Sequence, residues 1–216
     1  MESNKRKVAV LGTGDSGSTL GQALHKAGYT VIYGSRNPAG NHASAIPVTD
    51  YTNAAKHADI IISTIPGQHT LDVLGKIEPE ALAGKILIDV GTAFNDDFTI
   101  LLHQIISGGE LLQEKFPSTK VIKTFCTMTA SIMVKPDSLG EETTIFLSGN
   151  DHAAKGEVSS LLSDLGWSKS SQVDLGGIET ARGQEHFAVL YFALANKYGH
   201  GEFNIKVHVK NSHGDN

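Results

Sequence analysis

A glycine-rich segment joins the first apolar run of the chain to a helical pattern. Its residues, Gly12, Thr13, Gly14, Asp15, Ser16 and Gly17, match the pattern G-x-G-x-x-G. Between a strand and a helix, this spacing allows a tight turn and brings backbone N–H groups to the pyrophosphate of a dinucleotide. An apolar run at 8–11 precedes the glycines and a helical pattern at 18–27 follows them. Dinucleotide binding is therefore favoured over an ordinary glycine-rich turn.

Two other glycine motifs do not fit this segment. The phosphate loop of nucleoside triphosphatases requires a lysine after the last glycine, and Ser18 stands there instead. A serine-hydrolase elbow beginning at Gly14 would require a glycine at the position of Ser18. Neither nucleotide hydrolysis nor acyl transfer is indicated.

The second expected strand ends in residues that favour a phosphorylated cofactor. Ser35, Arg36 and Asn37 stand about 20 residues after the glycines, where NAD-binding proteins place an acidic residue on the ribose. No Asp or Glu occurs between Asp15 and Asp50. The Arg36 guanidinium can pair with a 2′-phosphate, and its two neutral neighbours can add hydrogen bonds. The segment predicts NADP(H); the simpler alternative is a solvated loop arginine.

Further candidate contacts follow later strands of the expected sheet. They are Thr64, Ile65, Pro66, His69, Met128 and Ala130, together with the loop at 91–94. Loops after parallel strands meet at the carboxyl edge of a sheet, so these residues are expected to line the nicotinamide side. Strand termination would equally explain Pro66, a helix start would explain His69, and core packing would explain Met128.

No residue is predicted to act as a nucleophile, general acid or metal ligand. Cys126 has apolar or neutral neighbours in the sequence, which favours a buried, unreactive thiol. His200, His208 and His213 lie near the end of the chain without the i, i+4 helical spacing of zinc-binding histidines. Metal binding is therefore not expected.

The composition narrows the class of protein and its partners. The 216 residues are 40% hydrophobic and 19% charged, with 23 glycines and a formal net charge of −5. The longest basic run covers residues 5–7, so nucleic acid is not an expected partner. A single cysteine fits a reducing compartment, and no apolar run approaches the ~20 residues that cross a bilayer. We expect a cytoplasmic protein without a membrane contact.

Apolar runs and helical patterns alternate along the chain, which predicts an α/β fold. The expected architecture is a Rossmann-type, doubly wound, mostly parallel sheet with a short C-terminal helical appendage. Strands are expected at 8–11, 30–33, 46–48, 60–65, 86–90, 121–125, 144–147 and 172–175. Helices are expected at 18–27, 51–57, 69–77, 98–105, 151–165 and 184–198, with Gly28 as a left-handed cap and Asn150 as an N-cap. Residues 1–177 would form the NADP-binding domain and residues 178–216 the helical segment.

The last expected helix is apolar around most of its circumference. Its residues Phe187, Leu190, Tyr191 and Leu194 fall on one continuous apolar stripe, and Val189 and Phe192 lie beside it. One buried face requires fewer apolar residues than this. A second subunit is therefore expected to cover the remainder in a homodimer.

The sequence resembles the family of coenzyme F420-dependent NADP oxidoreductases, and it is similar to the NADPH domain of the six-transmembrane metalloreductases. Segments 8–17, 31–38, 64–66 and 201–206 carry the resemblance. It implies phosphate contacts at 13–16, a 2′-phosphate clamp at Ser35 and Arg36, nicotinamide contacts near Pro66 and at 128–130, and a dimer. The family usually has a bulky aromatic residue after the Thr-Ile-Pro turn, where this chain has Gly67.

The expected activity is hydride transfer between NADP(H) and a small-molecule redox acceptor, either the deazaflavin coenzyme F420 or a flavin. The cofactors carry such chemistry, while the protein holds the two rings in contact and excludes water. Segment 178–216 would complete the acceptor pocket. One alternative is a redox sensor that binds NADP(H) without turnover. The other is a small imine or keto-acid reductase, which would usually need a proton donor and a larger helical domain.

Overall fold

The computed structural model describes residues 6–40 and 45–210. Within them, six strands form one parallel sheet: β1 (Lys7–Leu11), β2 (Thr30–Gly34), β3 (Val48–Thr49), β4 (Ile60–Ser63), β5 (Ile86–Asp89) and β6 (Lys120–Lys123). Their order across the sheet is β3-β2-β1-β4-β5-β6. The direction of winding reverses between β1 and β4, the switch point at which such sheets bind ligands. The predicted doubly wound α/β fold is confirmed.

Helices cover both faces of this sheet. They are α1 (Asp15–Lys26), α2 (Tyr51–Lys56), α3 (Gly67–Leu74), α4 (Pro79–Leu82), α5 (Gly108–Lys115), α6 (Ala130–Val134), α7 (His152–Asp164) and α8 (Ala181–Tyr198). Two short strands, β7 (Ile145–Leu147) and β8 (Gln172–Asp174), pair in parallel outside the main sheet. An antiparallel bridge between Lys123 and Ser148 joins this pair to β6.

The side chains of the central strands alternate between two apolar cores. Val8, Val10 and Ile62 lie in the core that α1, α6 and α7 cover. Ala9 and Ile61 lie in the core that α2, α3, α4 and α5 cover. Because both faces are buried, these strands read as continuous apolar runs, which is why the sequence identified them.

The helix predicted at 98–105 is wrong. Phe94 and Leu101 form an antiparallel bridge instead, and Phe98 has a left-handed backbone with φ 55°. The side-chain oxygen of Asn95 accepts hydrogen bonds from the backbone N–H groups of Thr99 and Ile100, both at 2.9 Å. This side chain offers the backbone an alternative to helical hydrogen bonds, so the chain turns back on itself.

The sequence carried a signal for the missed helix α5. Ser107 accepts a hydrogen bond from the backbone of Glu110, and Glu110 accepts one from the backbone of Ser107. This reciprocal pair is a capping box, which marks the start of a helix. Helix α4 was also missed, and it is only four residues long.

Two predicted caps have different outcomes. Gly28 adopts a left-handed backbone with φ 91°, as expected. Asn150 does not cap α7, since the Asp151 carboxylate accepts the hydrogen bond from Ala154 N at 2.8 Å. The Asn150 side chain instead accepts a hydrogen bond from Ile178 N at 2.9 Å and so holds the turn before α8.

The apolar stripe expected on α8 does not face the core. The buried residues of α8 are Ala181, Gln184, Glu185 and Ala188. Leu190 of the expected stripe is 51% exposed, while Phe187, Tyr191 and Leu194 are partly buried. Residues 211–216 of the expected helical segment lie outside the described part of the chain. Within the described part, no helix has the length and apolar character that a membrane span needs.

Candidate functional site

The glycine-rich loop connects the end of β1 to the start of α1. Gly12 has φ 118° and donates its N–H to Gly34 O of β2 at 2.9 Å. Gly14 precedes the first turn of α1, and no side chain caps that turn. The first N–H groups of the helix therefore remain available for an anion at the carboxyl edge of the sheet. Residues 13–16 of the candidate site lie in this loop and first turn.

The three glycines of the loop meet different surroundings. A Cβ atom on Gly17 would lie 2.1 Å from Gly12 O. A Cβ atom on Gly12 would lie 2.6 Å from Thr64 Oγ1. A Cβ atom on Gly14 would meet nothing within 4 Å. Gly12 and Gly17 are thus required by packing within the protein, whereas packing gives no reason for Gly14.

Thr64 supports the loop from the neighbouring strand. Its hydroxyl donates a hydrogen bond to Leu11 O at 3.1 Å, beside the first glycine. The hydroxyl oxygen can still accept a hydrogen bond, so the expected contact of Thr64 with the nicotinamide side stays a prediction. Thr64 is accordingly placed to position the loop.

The end of β2 lies beside the glycine-rich loop, since Leu11 and Gly34 are paired in register. The buried Ser35 hydroxyl accepts a hydrogen bond from Asn37 N at 3.1 Å and retains its own hydrogen for a ligand. Arg36 is exposed and forms no ion pair or hydrogen bond with residues 6–40 or 45–210. Its guanidinium is therefore available at the edge where the sequence analysis placed the 2′-phosphate.

The turn after β4 packs against the loop after β5. The Ile65 side chain is buried in the core, so only its backbone lies at the edge. Pro66 precedes α3, and His69 lies exposed in the first turn of that helix. A Cβ atom on Gly67 would lie 2.3 Å from the backbone of Thr92. Glycine at this position allows the two loops to meet backbone to backbone.

The loop after β6 brings the last candidate residues to the same edge. Met128 and Ala130 are both 5% exposed, so their side chains pack inward. Phe125, three residues earlier, has a left-handed backbone with φ 68°, a conformation that aromatic residues rarely adopt. The Tyr191 ring of α8 packs 5.1 Å from the ring of Phe203, and Gly201 lies between Tyr191 and Thr129. Helix α8 and the segment after it thus form a wall beside this loop.

A buried group of charged residues was missed by the sequence analysis. Asp89, Lys123 and Glu185 have side chains no more than 3% exposed. Lys123 Nζ lies 2.8 Å from Asp89 Oδ2 and 2.9 Å from Glu185 Oε1. We call these three residues the buried triad. Asp89 and Lys123 are the last residues of β5 and β6 and are paired in register, so the triad lies at the carboxyl edge.

The buried triad connects four segments of the chain. Lys123 Nζ also donates to the carbonyl of Gly91, in the loop after β5. Glu185 of α8 accepts hydrogen bonds from Gly108 N at 3.0 Å and Gly109 N at 3.3 Å, at the start of α5. The sequence does show a charged residue at the end of each of two apolar strands, Asp89 in β5 and Lys123 in β6. No local pattern connects these two residues with Glu185.

Burial and the opposite charges within the triad shift the pKa values of Asp89 and Lys123 in opposite directions. Burial raises the pKa of the Asp89 carboxyl above its usual value; Lys123 opposes this shift without cancelling it, and the Glu185 carboxylate adds to it. Burial lowers the pKa of Lys123, but the two carboxylates outweigh it and hold that pKa above its usual value. Lys123 is therefore charged at neutral pH.

Cys126 lies next to this triad. Its Sγ is 3.9 Å from Gln184 Oε1. Burial raises the pKa of the thiol to about 12, although Lys123 acts in the opposite direction. A raised pKa agrees with the predicted unreactive thiol. The charged residues around Cys126 come from distant parts of the chain, so its sequence neighbours did not reveal them.

We expect Cys126 to resist alkylation in the folded protein. With a pKa of about 12, only about one thiol in 10⁴ is ionised at pH 8, compared with a sizeable share of free cysteine. Iodoacetamide should therefore label the native chain at least about a hundredfold more slowly than the chain in denaturant. Mass spectrometry measures the label, and Cys126→Ser, which removes the single cysteine, is the blank. Equal rates in both states would contradict the assigned environment.

Residues 6–40 and 45–210 contain no group of three or more His, Cys, Asp or Glu side chains that could hold a metal ion.

Comparisons with known proteins agree with this arrangement. The family described as "NADP oxidoreductase coenzyme F420-dependent" matches residues 7–93. The F420-dependent NADP reductase of Methanocaldococcus jannaschii is 29% identical over 213 residues, covering 89% of this chain and 93% of that protein. A solved structure described as an F420-dependent NADP reductase from Arthrobacter sp. FB24 has a TM-score of 0.89 and 34% identity, covering 95% of this chain and 100% of that one.

The chain is also similar to part of a longer protein. The metalloreductase STEAP3 of Rattus norvegicus is 29% identical over 179 residues, which cover 82% of this chain and 35% of that protein. The chain therefore spans about a third of the length of this relative.

Proposed function

Because the chain belongs to the family of coenzyme F420-dependent NADP oxidoreductases, we propose that it transfers a hydride between bound NADP(H) and a small-molecule acceptor, coenzyme F420 or a flavin. The observation that carries the choice of cofactor is the juxtaposition of the glycine-rich loop with Arg36. The loop offers uncapped N–H groups at α1, and the exposed Arg36 lies at the end of the adjacent strand. A pyrophosphate and a 2′-phosphate on one molecule match these two features.

The residues of this chain would bind and orient the cofactor. Residues 12–17 would hold the pyrophosphate, while Ser35, Arg36 and Asn37 would hold the 2′-phosphate. The loops containing Pro66, His69 and 128–130 would border the nicotinamide. The bound nicotinamide supplies the hydride chemistry, and the protein contributes proximity and the exclusion of water.

The wall formed by α8 and the following segment is the proposed border of the acceptor site. Glu202 accepts a hydrogen bond from Ser131 Oγ at 2.8 Å, and Asn204 donates one to Thr143 Oγ1 at 2.9 Å. The first bond holds the segment after α8 beside the loop at 128–130, and the second ties this segment to the residues before β7. In this proposal the planar ring of the acceptor lies between this wall and the nicotinamide. The choice of coenzyme F420 among such rings rests on the names of the related proteins.

An acceptor screen tests the proposed function. Purified protein is given NADPH and, separately, coenzyme F420, FMN, FAD, a cyclic imine, a keto acid or a ferric chelate, and the loss of NADPH absorbance is followed. We expect turnover with coenzyme F420 or a flavin, and much slower turnover when NADH replaces NADPH. Turnover only with the imine or keto acid would instead support the imine or keto-acid reductase. Tight NADPH binding without turnover on any acceptor would support the redox sensor.

We also propose that the protein forms a homodimer through α8. Six exposed apolar side chains, which we call the apolar patch, lie on α8 and the loop before α5: Phe98, Ile100, Leu102, Ile105, Val189 and Leu190, each 40% to 86% exposed. The two parts adjoin, because the Phe98 ring lies 5.0 Å from that of Phe192 in α8. A patch of this kind on a helix suits a self-complementary contact.

Substitution within the apolar patch should dissociate this dimer. Leu190→Arg places a charge in the expected contact, so light scattering at micromolar concentration should give the mass of one chain instead of two. Ser160→Arg adds the same charge at an exposed position of α7 and should leave the dimer intact. A wild-type protein that is monomeric at this concentration would refute the proposed contact.

A further inference from the structure

We propose that the buried triad sets the preference of the protein for oxidised over reduced nicotinamide cofactor. This inference rests on the proposed function, because it requires NADP(H) at the carboxyl edge. The triad consists of Asp89, Lys123 and Glu185, and it carries two carboxylates and one ammonium group. No step of the proposed hydride transfer uses these side chains directly.

The position of the triad places it behind the nicotinamide side of the site. Arg36 and the glycine-rich loop lie at the ends of β2 and β1 and would hold the adenosine phosphate and the pyrophosphate. The nicotinamide end then extends past the switch point toward β4 and β5. Asp89 ends β5, and Lys123 contacts the Gly91 carbonyl in the next loop. The triad is therefore separated from this part of the edge by one loop.

The net charge of the triad depends on the ionisation of its two carboxyl groups. Asp89 accepts from Lys123, while Glu185 accepts from Lys123, Gly108 N and Gly109 N. All of these partners are donors, which favour the charged form of a carboxyl group and oppose the rise in the pKa of Asp89 that burial causes. With both carboxyl groups ionised, two carboxylates and one ammonium leave one net negative charge.

Little water screens this charge. The three side chains are at most 3% exposed. The cavity lined by Asp89, Gly91 and His103 has a volume of about 10 Å³, which is room for about one water molecule. The net charge therefore acts over a longer range than a surface charge would.

The two forms of the cofactor differ by one charge at the ring. The reduced nicotinamide ring is neutral, and loss of its hydride to the acceptor leaves a pyridinium cation. A buried negative charge stabilises this cation and has little effect on the neutral ring. It therefore lowers the dissociation constant of NADP⁺ relative to that of NADPH, and so favours hydride transfer from NADPH to the acceptor.

The experiment compares dissociation constants of both cofactor forms. Glu185→Gln and Asp89→Asn each remove one negative charge with little change of shape and leave Lys123 paired with the other carboxylate. In each variant the ratio Kd(NADP⁺)/Kd(NADPH) should rise by about fourfold to fifteenfold, the effect of one charge across roughly 10 Å at an effective dielectric constant of about 20 to 40. NADPH is titrated by its fluorescence, and NADP⁺ by displacement of NADPH.

A purely structural role would give a different result. Loosening α8 or the loop after β5 would change both dissociation constants together and leave their ratio unchanged. Glu114→Gln is the matched control: it removes the same charge from an exposed position of α5, so solvent should screen its effect on the ratio.

The outcomes separate this inference from the proposed function. If the wild type binds neither NADPH nor NADP⁺, the proposed function is wrong. If the wild type binds both and neither triad variant changes the ratio more than Glu114→Gln does, the proposed role of the triad is wrong. Two independent triad variants are included so that a folding defect in one leaves the other to decide.

Discussion

Replacing Arg36 with alanine is expected to weaken NADPH binding about tenfold to hundredfold and to leave NADH binding almost unchanged. Charge-assisted hydrogen bonds of this kind contribute about 1.5 to 3 kcal/mol, which corresponds to that range of dissociation constants. NADH has no 2′-phosphate and so loses nothing. Arg36 has no ion pair or hydrogen bond to lose among residues 6–40 and 45–210, so the fold should be unaffected.

Fluorescence titration of both cofactors on the wild type and two variants measures this effect. Arg36→Asp should reduce NADPH affinity further, because a carboxylate repels the phosphate, and should improve NADH binding by accepting its ribose hydroxyls. Arg6→Ala is the control for net charge, since Arg6 pairs with Glu157 before β1, at the opposite edge of the sheet. Equal weakening of NADPH and NADH by Arg36→Ala would show that Arg36 does not discriminate between them.

The regular part of the fold was predictable because its signals are local. Runs such as 60–63 and 86–89 are buried on both faces, so the composition of each run identifies it as a strand without knowledge of its neighbours. The glycine-rich loop was predictable for the same reason, since a strand, a turn and a helix within 20 residues define it. Because the strands of the main sheet are parallel, the loop after each strand lies at the carboxyl edge.

The wrong helix at 98–105 has its physical cause in a side chain that competes with helical hydrogen bonds. The spacing of apolar residues at 98–105 suggests a helix, but Asn95 binds two backbone N–H groups and redirects the chain. The apolar face of this segment then lies partly exposed, with Ile105 at 86%. Spacing alone cannot distinguish a helix from a loop whose apolar side chains face outward.

The buried triad could not be assembled from the sequence, because its members are far apart along the chain. Asp89 and Glu185 are brought together only when α8 packs on the carboxyl edge. The same packing explains why α8 buries Gln184 and Glu185 while Leu190 lies exposed. A helix whose polar side chains face inward contradicts the usual amphipathic pattern, and only the partner residues give the reason for it.

Alanine substitutions at two glycines of the same loop should have different effects, Gly17→Ala on stability and Gly14→Ala on cofactor binding. In Gly17→Ala the new methyl group would lie 2.1 Å from Gly12 O, a backbone atom. Relieving this overlap should destabilise the protein by about 1 to 3 kcal/mol or more and lower Tm by several degrees. In Gly14→Ala the methyl group meets nothing within 4 Å, and its φ of −73° suits alanine. The Tm of this variant should stay close to that of the wild type.

Gly14→Ala should nevertheless weaken cofactor binding about tenfold or more. Its methyl group would occupy the space in which the pyrophosphate meets the backbone. The loss of one charged hydrogen bond accounts for an effect of that size on the dissociation constant. NADPH and NADH share the pyrophosphate, so both should be weakened alike, in contrast to Arg36→Ala. Thermal unfolding and fluorescence titration of both glycine variants measure the two effects separately. An unchanged affinity in Gly14→Ala would mean that the pyrophosphate does not approach this loop.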